Sequence, residues 1–237
     1  MRQTPECHSL GKTLALHLAP GALLTTGFLL LGPTIMRTGG SNYLALLLCI
    51  PLVLVPSEVG CLLFQKRKRG LGWSSMIVSR KSGHFSIFSV PPIATALYAL
   101  SILGSVIVAP FRSIVLRTAA HWMPSWAIID GLPKGISPGT LWLGLVLSGL
   151  VAPIVEELYF RGFLLPRIPI AGSWAPVVNA ALFSIYHFFS PWNYAAIFVA
   201  FLPLAYYVRL SGRLAPAIIT HCLFNSVGIA VELVRII

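Results

Sequence analysis

Glu156 and Glu157 stand side by side in LWLGLVLSGLVAPIVEELYFRGFLLP, an otherwise apolar stretch of a chain with only six acidic residues in 237. A charge at the centre of a bilayer costs roughly 2.5–3.5 kcal/mol on insertion scales, so an acid buried there is a candidate for function. On a helix, Glu157 and Arg161 are four apart and share one face within ion-pairing reach, while Glu156 is turned by about 100° toward other neighbours. Ala152 and Phe160 occupy the turns on either side of Glu156, so it has no partner on its own helix. One glutamate is thereby neutralised and the other stays free for chemistry. A free carboxylate can take a proton from water and later hand one to a leaving amine. Two imidazoles, His187 and His221, can orient that water or donate to a developing oxyanion. The amide of Asn225, four residues after His221 and on the same helical face, is a fixed neutral donor. These are the tools of peptide hydrolysis.

Such groups need a scaffold that holds them out of bulk water. Hydrophobic residues make up 57% of the chain and charged residues 10%, and the mean hydropathy is +0.85, far from a soluble domain at about 25% charged. The fold class expected is all-α, a polytopic transmembrane bundle. At about 20 apolar residues per crossing, seven spans fall near 13–36, 43–64, 86–109, 141–165, 174–189, 192–208 and 214–234. The formal charge of +11 does not point to nucleic acid, because the basic residues gather at the ends of apolar runs, as Lys66, Arg67, Lys68 and Arg69, then Arg80 and Lys81. That is the positive-inside pattern. It places the N-terminus, the 65–85 loop, and the 166–173 and 209–213 turns in the cytoplasm, and leaves 110–140 outside, with Trp122 and Trp126 lying along the interface. A bacterial inner membrane is the expected setting, with endoplasmic reticulum as the alternative. Cys7, Cys49, Cys61 and Cys222 show no paired spacing and read as small hydrophobes without disulfides.

The chain divides by its polar content into residues 1–140, N-terminal spans with an interfacial segment, and 141–237, where the chemistry gathers. Before residue 140, His17, Glu58 and a few hydroxyls interrupt the apolar runs. Glu58, after Pro56, reads as a structural residue near the cytoplasmic interface. In the second part, Glu156, Glu157 and Arg161 share the fourth span, Asn179 and His187 the fifth, and His221 and Asn225 the seventh. At 1.5 Å per residue, Glu156, His187 and His221 lie ~14, ~20 and ~10 Å from the inner ends of their spans, close enough in depth to meet. Asn179 is either a polar contact of the site or a bond between helices, and Cys222 points away from His221.

The runs Glu156-Glu157-Leu-Tyr-Phe-Arg161, Phe183-Ser-Ile-Tyr-His187 and His221-Cys-Leu-Phe-Asn225 resemble the EExxxR, FxxxH and HxxxN motifs of the CPBP family, which includes the type II CAAX prenyl proteases and the bacterial Abi proteins. All three occur in order, on separate spans. The resemblance implies a catalytic core in the last four spans and an intramembrane endopeptidase in which Glu156 activates water with help from His187. His221 and Asn225 would bind or polarise the scissile carbonyl, with Glu157, Arg161 and Phe183 in support. Its substrate would be a membrane-embedded or lipid-anchored peptide or protein, with CAAX-type processing among the candidates. No cofactor is required. The chain has no HExxH, although a zinc ion held by Glu156, His187 and His221 from three helices is a chemical alternative. Two other classes use the same residues. A proton-coupled transporter also needs intramembrane acids, and an immunity or partner protein could keep the motifs as structure alone.

Overall fold

The computed structural model describes residues 6–70, 72–77, 86–119, 123–170 and 172–236. Arg80, Lys81 and Trp122 lie outside them. Among the described residues the chain is helical with no strand. Its principal segments are α1 (Leu10–Arg37), α2 (Asn42–Arg69), α3 (Ile87–Thr118), α4 (Pro138–Arg167), α5 (Trp174–Tyr186), α6 (Pro191–Ser211) and α7 (Ala215–Ile236). All but α5 are long and apolar enough to cross a membrane, and the protein is an integral, multi-pass one. The order matches the seven expected spans.

Local signals set the ends. Ser9, Ser41 and Ser137 cap α1, α2 and α4 by accepting from the amides of Lys12, Leu44 and Thr140, and Pro138 fills the first turn of α4. Gly70 and Gly212 end α2 and α6 in the left-handed region, at φ 61° and 66°. Prolines shape the interiors, and α2 and α4 widen into π-helical turns at Ile50–Leu54, Leu147–Val151 and Glu157–Leu164.

Two expectations are corrected. The third span continues through Pro110 to Thr118, so residues 110–118 belong to it and not to an external segment. Its outer face, with Leu103, Val106, Ile107, Phe111 and Ile114 exposed, suits lipid. Its inner face is stapled to α6 and α7, through Ser101 Oγ to the Ala200 carbonyl at 2.6 Å and Thr220 Oγ1 to the Ala94 carbonyl at 3.1 Å. Trp126 does not lie along a surface. Its ring packs on Phe28, centroids 5.5 Å apart, and covers Gly32, where a Cβ would collide with it.

One end of the bundle is basic. The His8 amide donates to the Arg167 carbonyl at 2.8 Å and Arg69 pairs with Glu6 at 3.3 Å, which brings the start of α1 and the ends of α2 and α4 to one level. From that level Gly21 lies eleven residues in from Leu10, Glu58 eleven from Arg69 and Glu156 eleven from Arg167. At 1.5 Å per residue, all three sit ~16 Å deep, in one layer.

Candidate active site

Pro153 prepares the ground one turn before the glutamates. Having no N–H, it leaves the Gly149 carbonyl without its helical donor, and the chain widens into the π turn at Leu147–Val151. Helix α7 supplies the missing donors. Ser226 Oγ reaches the Gly149 carbonyl at 3.4 Å and Asn225 Nδ2 donates to the Ser148 carbonyl at 3.0 Å. Gly149 permits this approach, since a Cβ there would fall on Ser226 Oγ. The pairing holds α7 in register with α4 and sets His221 opposite the two glutamates.

Glu157 is fully buried and is the hub of the cluster. Its Oε1 lies 3.1 Å from Arg161 Nη1, the ion pair expected from the spacing. The same oxygen lies 2.9 Å from His221 Nδ1, a contact the spacing did not announce. A carboxylate only accepts, so Nδ1 carries the hydrogen and a neutral His221 turns the lone pair of Nε2 away from Glu157. That Nε2 lies 3.6 Å from Glu156 Oε2, too far for a hydrogen bond. The imidazole thus stands between the two glutamates, oriented by one and facing the other. Arg161, also fully buried, lays its guanidinium on the Phe183 ring at 4.0 Å and near Phe201 at 5.3 Å. Phe183, expected to be a wall of the pocket, is therefore also the platform of the cation.

Glu156 has two further neighbours. The Tyr186 hydroxyl is 3.4 Å from its Oε1, and the same hydroxyl donates to Glu58 Oε1 at 2.9 Å. Glu58 is fully buried in this layer, which corrects its placement near the interface. His17 of α1 is also fully buried: its Nδ1–H donates to the Thr13 carbonyl at 2.7 Å, and its Nε2 accepts from Asn179 Nδ2 at 3.2 Å. Asn179 also donates to the Phe160 carbonyl at 3.0 Å, so it ties α1, α4 and α5 together. The spacing of Glu58 from Arg69, equal to that of Glu156 from Arg167, is the signal that could have found it.

His187 closes α5 as its C-cap and its Nδ1–H donates to the Phe183 carbonyl at 2.9 Å, which leaves Nε2 as an acceptor. Glu156, His187, His221 and Asn225 all line one cavity of about 560 Å³. From that layer the cavity extends past Ser105 and Ala109 to Arg112, Gly131, Leu132 and Asn193, at the end opposite the Lys66–Arg69 run. Asn225 spends one amide hydrogen on Ser148 and has a second left for the cavity. Among the described residues no three His, Cys, Asp or Glu side chains converge closely enough to hold one metal ion. Glu156 and His221 approach each other and His187 does not join them, so the residues as arranged do not fit a three-ligand zinc site. The four cysteines are free thiols.

Residues 138–227 match the family described as type II CAAX prenyl endopeptidase Rce1-like. The matched stretch begins at the first residue of α4 and takes in Glu156, Glu157, Arg161, Phe183, His187, His221 and Asn225. No curated protein and no solved structure matches the chain. The segment that carries all three motifs, set in a bundle of membrane-spanning helices, is thus similar to the type II CAAX prenyl endopeptidases.

Proposed function

We propose that the protein hydrolyses a peptide bond in a membrane-associated peptide or protein, with Glu156 as the general base toward water. The observation that carries this reading is the division of labour between neighbours. Glu157 is committed to Arg161 and His221, while Glu156 faces the cavity with no cation of its own among the described residues. Glu156 takes a proton from water as the oxygen attacks the scissile carbonyl carbon. The proton then passes from Glu156 to the leaving nitrogen as the C–N bond breaks. His187 and His221, each with its Nδ1–H engaged, offer Nε2 lone pairs, one of which accepts the second hydrogen of the attacking water. The spare N–H of Asn225 is a neutral donor for the oxyanion.

The reading includes an orientation. Lys12, Lys66, Arg67, Lys68, Arg69, Arg167, Arg209 and Arg213 lie at one end of the bundle, against Arg37, Arg112, Arg117, Lys134 and Arg235 at the other. The positive-inside rule puts the richer end in the cytoplasm, so the cavity reaches the opposite face. The substrate that fits is a peptide tethered in the bilayer and presented from that face.

The test uses purified protein in proteoliposomes and an internally quenched, lipid-anchored peptide. Glu156→Gln keeps size and removes basicity, and cleavage is expected to fall by a factor on the order of 10²–10⁴ with the unfolding temperature unchanged. Cleavage retained by this variant would exclude Glu156 as the base.

A further inference from the structure

Glu58 lies on α2, outside the three motifs and outside the matched segment, yet its carboxyl group belongs to the same buried layer. Tyr186 makes the connection, 2.9 Å from Glu58 Oε1 on one side and 3.4 Å from Glu156 Oε1 on the other. Glu58 and Tyr186 are both fully buried. Close approach of α1 fixes the phenol, because Gly21 packs against the backbone carbonyl and ring of Tyr186 with no room for a Cβ.

A phenol has one proton to give, so it cannot serve two ionised carboxylates equally. The charged and titratable groups of this part of the core are Glu157 and Arg161 on α4, His221 on α7, His187 on α5 and His17 on α1, with Cys61 of α2 and Tyr159 of α4, hydroxyl to sulfur 3.8 Å, on the Glu58 side. Arg161 is the one cation-bearing side chain of the layer among the described residues, and Glu157 holds it at 3.1 Å. Glu58 and Glu156 would then face each other across a single hydroxyl as two charges, neither of them in ion-pair contact with Arg161. Two carboxyl groups in that position resolve the repulsion by sharing a proton. Glu58 Oε2 also has no hydrogen-bond partner among the described residues, as befits a group whose only polar bond in this structure is the one through Tyr186.

We propose that Glu58 is a positioning residue that shares one proton with Glu156 through the Tyr186 hydroxyl. In one arrangement the acid is Glu58, whose O–H donates to the Tyr186 oxygen while the Tyr186 hydrogen points to the Glu156 carboxylate. In the other the acid is Glu156, which donates to the Tyr186 oxygen while that hydroxyl donates to the Glu58 carboxylate. Conversion moves the Glu156 proton to the Tyr186 oxygen as the Tyr186 proton moves to Glu58, so one O–H bond breaks and one forms at each end and no charge leaves the layer. With the proton on Glu58, Glu156 is ready to act as a base. The inference rests on Glu156 being that base, but its first test does not require cleavage.

That test is infrared difference spectroscopy on the purified protein at neutral pH, in water and in deuterium oxide, following the carbonyl stretch of buried carboxylic acid. The parent is expected to show such a band. Glu156→Gln keeps it, because Glu58 is fully buried off the cavity with Oε2 unpartnered among the described residues and holds its proton, and Glu58→Gln loses it, because Glu156 lines the cavity and remains a carboxylate there. No band in the parent, or a band that survives Glu58→Gln and disappears in Glu156→Gln, overturns the proposal. The kinetic arm uses the same quenched peptide. Glu58→Gln retains at least half of the parent kcat, whereas Glu58→Ala and Tyr186→Phe lower kcat about tenfold at unchanged KM. Equal kcat in Glu58→Ala and the parent refutes the role of Glu58 while leaving Glu156 as the base. A parent protein that cleaves no such peptide refutes the protease reading itself.

Discussion

Replacing Glu157 by glutamine isolates the charge on which Arg161 depends. The variant keeps the shape of the side chain and an amide oxygen that can still accept from His221 Nδ1, now 2.9 Å from Oε1. It removes the negative charge 3.1 Å from Arg161 Nη1. Both partners are 0% exposed, and no nitrogen of Arg161 meets hydrogen-bond geometry among the described residues. The cation is therefore held by Coulomb attraction and by the Phe183 face at 4.0 Å. Removing one partner of a buried pair costs about 3–5 kcal/mol, because the survivor is left uncompensated. For a chain of this length 1 kcal/mol corresponds to about 2–4 °C, so Glu157→Gln should unfold roughly 6–20 °C below the parent in a detergent melt at fixed scan rate. Adding Arg161→Met removes the remaining charge and sets a thioether on the Phe183 ring, and the double variant should recover most of the loss, since well-packed apolar replacements of buried pairs are near neutral. A single variant that melts with the parent, or a double variant no better than the single, would refute the argument that Glu157 is there to compensate Arg161.

Gly21→Ala puts a methyl group onto the Tyr186 carbonyl; overpacking of this kind costs about 1–3 kcal/mol, and both a lowered melting temperature and slowed cleavage are expected from the shifted phenol. Asn225→Ala and Ser226→Ala each remove a helix–helix bond and should lose about 0.6 kcal/mol, but cleavage should fall in the first and hold in the second, because Ser226 does not line the cavity; equal cleavage by both would deny Asn225 a part in the chemistry. In a cysteine-free background, Leu132→Cys should react with an impermeant maleimide added outside intact cells and Lys68→Cys should not, and the reverse pattern would put the cavity on the cytoplasmic face. Cleavage should persist in EDTA and in 1,10-phenanthroline; a loss that added zinc restores would refute the glutamate mechanism without metal.

Much of this site could be read from the chain because polar residues in apolar spans are few and each must be accounted for. Glu156, His187, His221 and Asn225 stand out on that ground alone, and the Glu157–Arg161 pair follows from four-residue spacing. Other features could not be read that way, for reasons that can be named. A helical wheel with a fixed turn per residue shows no π segment, so the freed carbonyls of Ser148 and Gly149 and their donors on α7 stay hidden, although Pro153 is in plain view. Tyr186 passes as a filler position between Phe183 and His187. Glu58 looks interfacial if judged by the nearby Pro56, but counting from Arg69 places it level with Glu156. The third span runs on through Pro110 because its neighbours there are lipid-facing side chains on one side and α6 on the other.

The two adjacent glutamates differ less through helix phase than through what other helices bring to each. Helix α7 brings the N–H side of His221 to Glu157, and the Arg161 guanidinium, steadied by Phe183 of α5, completes its charge balance. Glu156 receives instead the lone-pair side of that same imidazole, a phenol from α5, and through the phenol a carboxyl group from α2. An imidazole with one hydrogen and a phenol with one hydrogen are each asked to face two carboxyl groups. Each can satisfy one as donor and must meet the other as acceptor, so the hydrogen-bond directions around Glu156 and Glu157 are coupled across four helices. A substitution at any one of Glu58, Glu156, Glu157, Tyr186 and His221 should therefore change the proton arrangement at the others, and double substitutions within the layer should depart from additivity where pairs outside it do not.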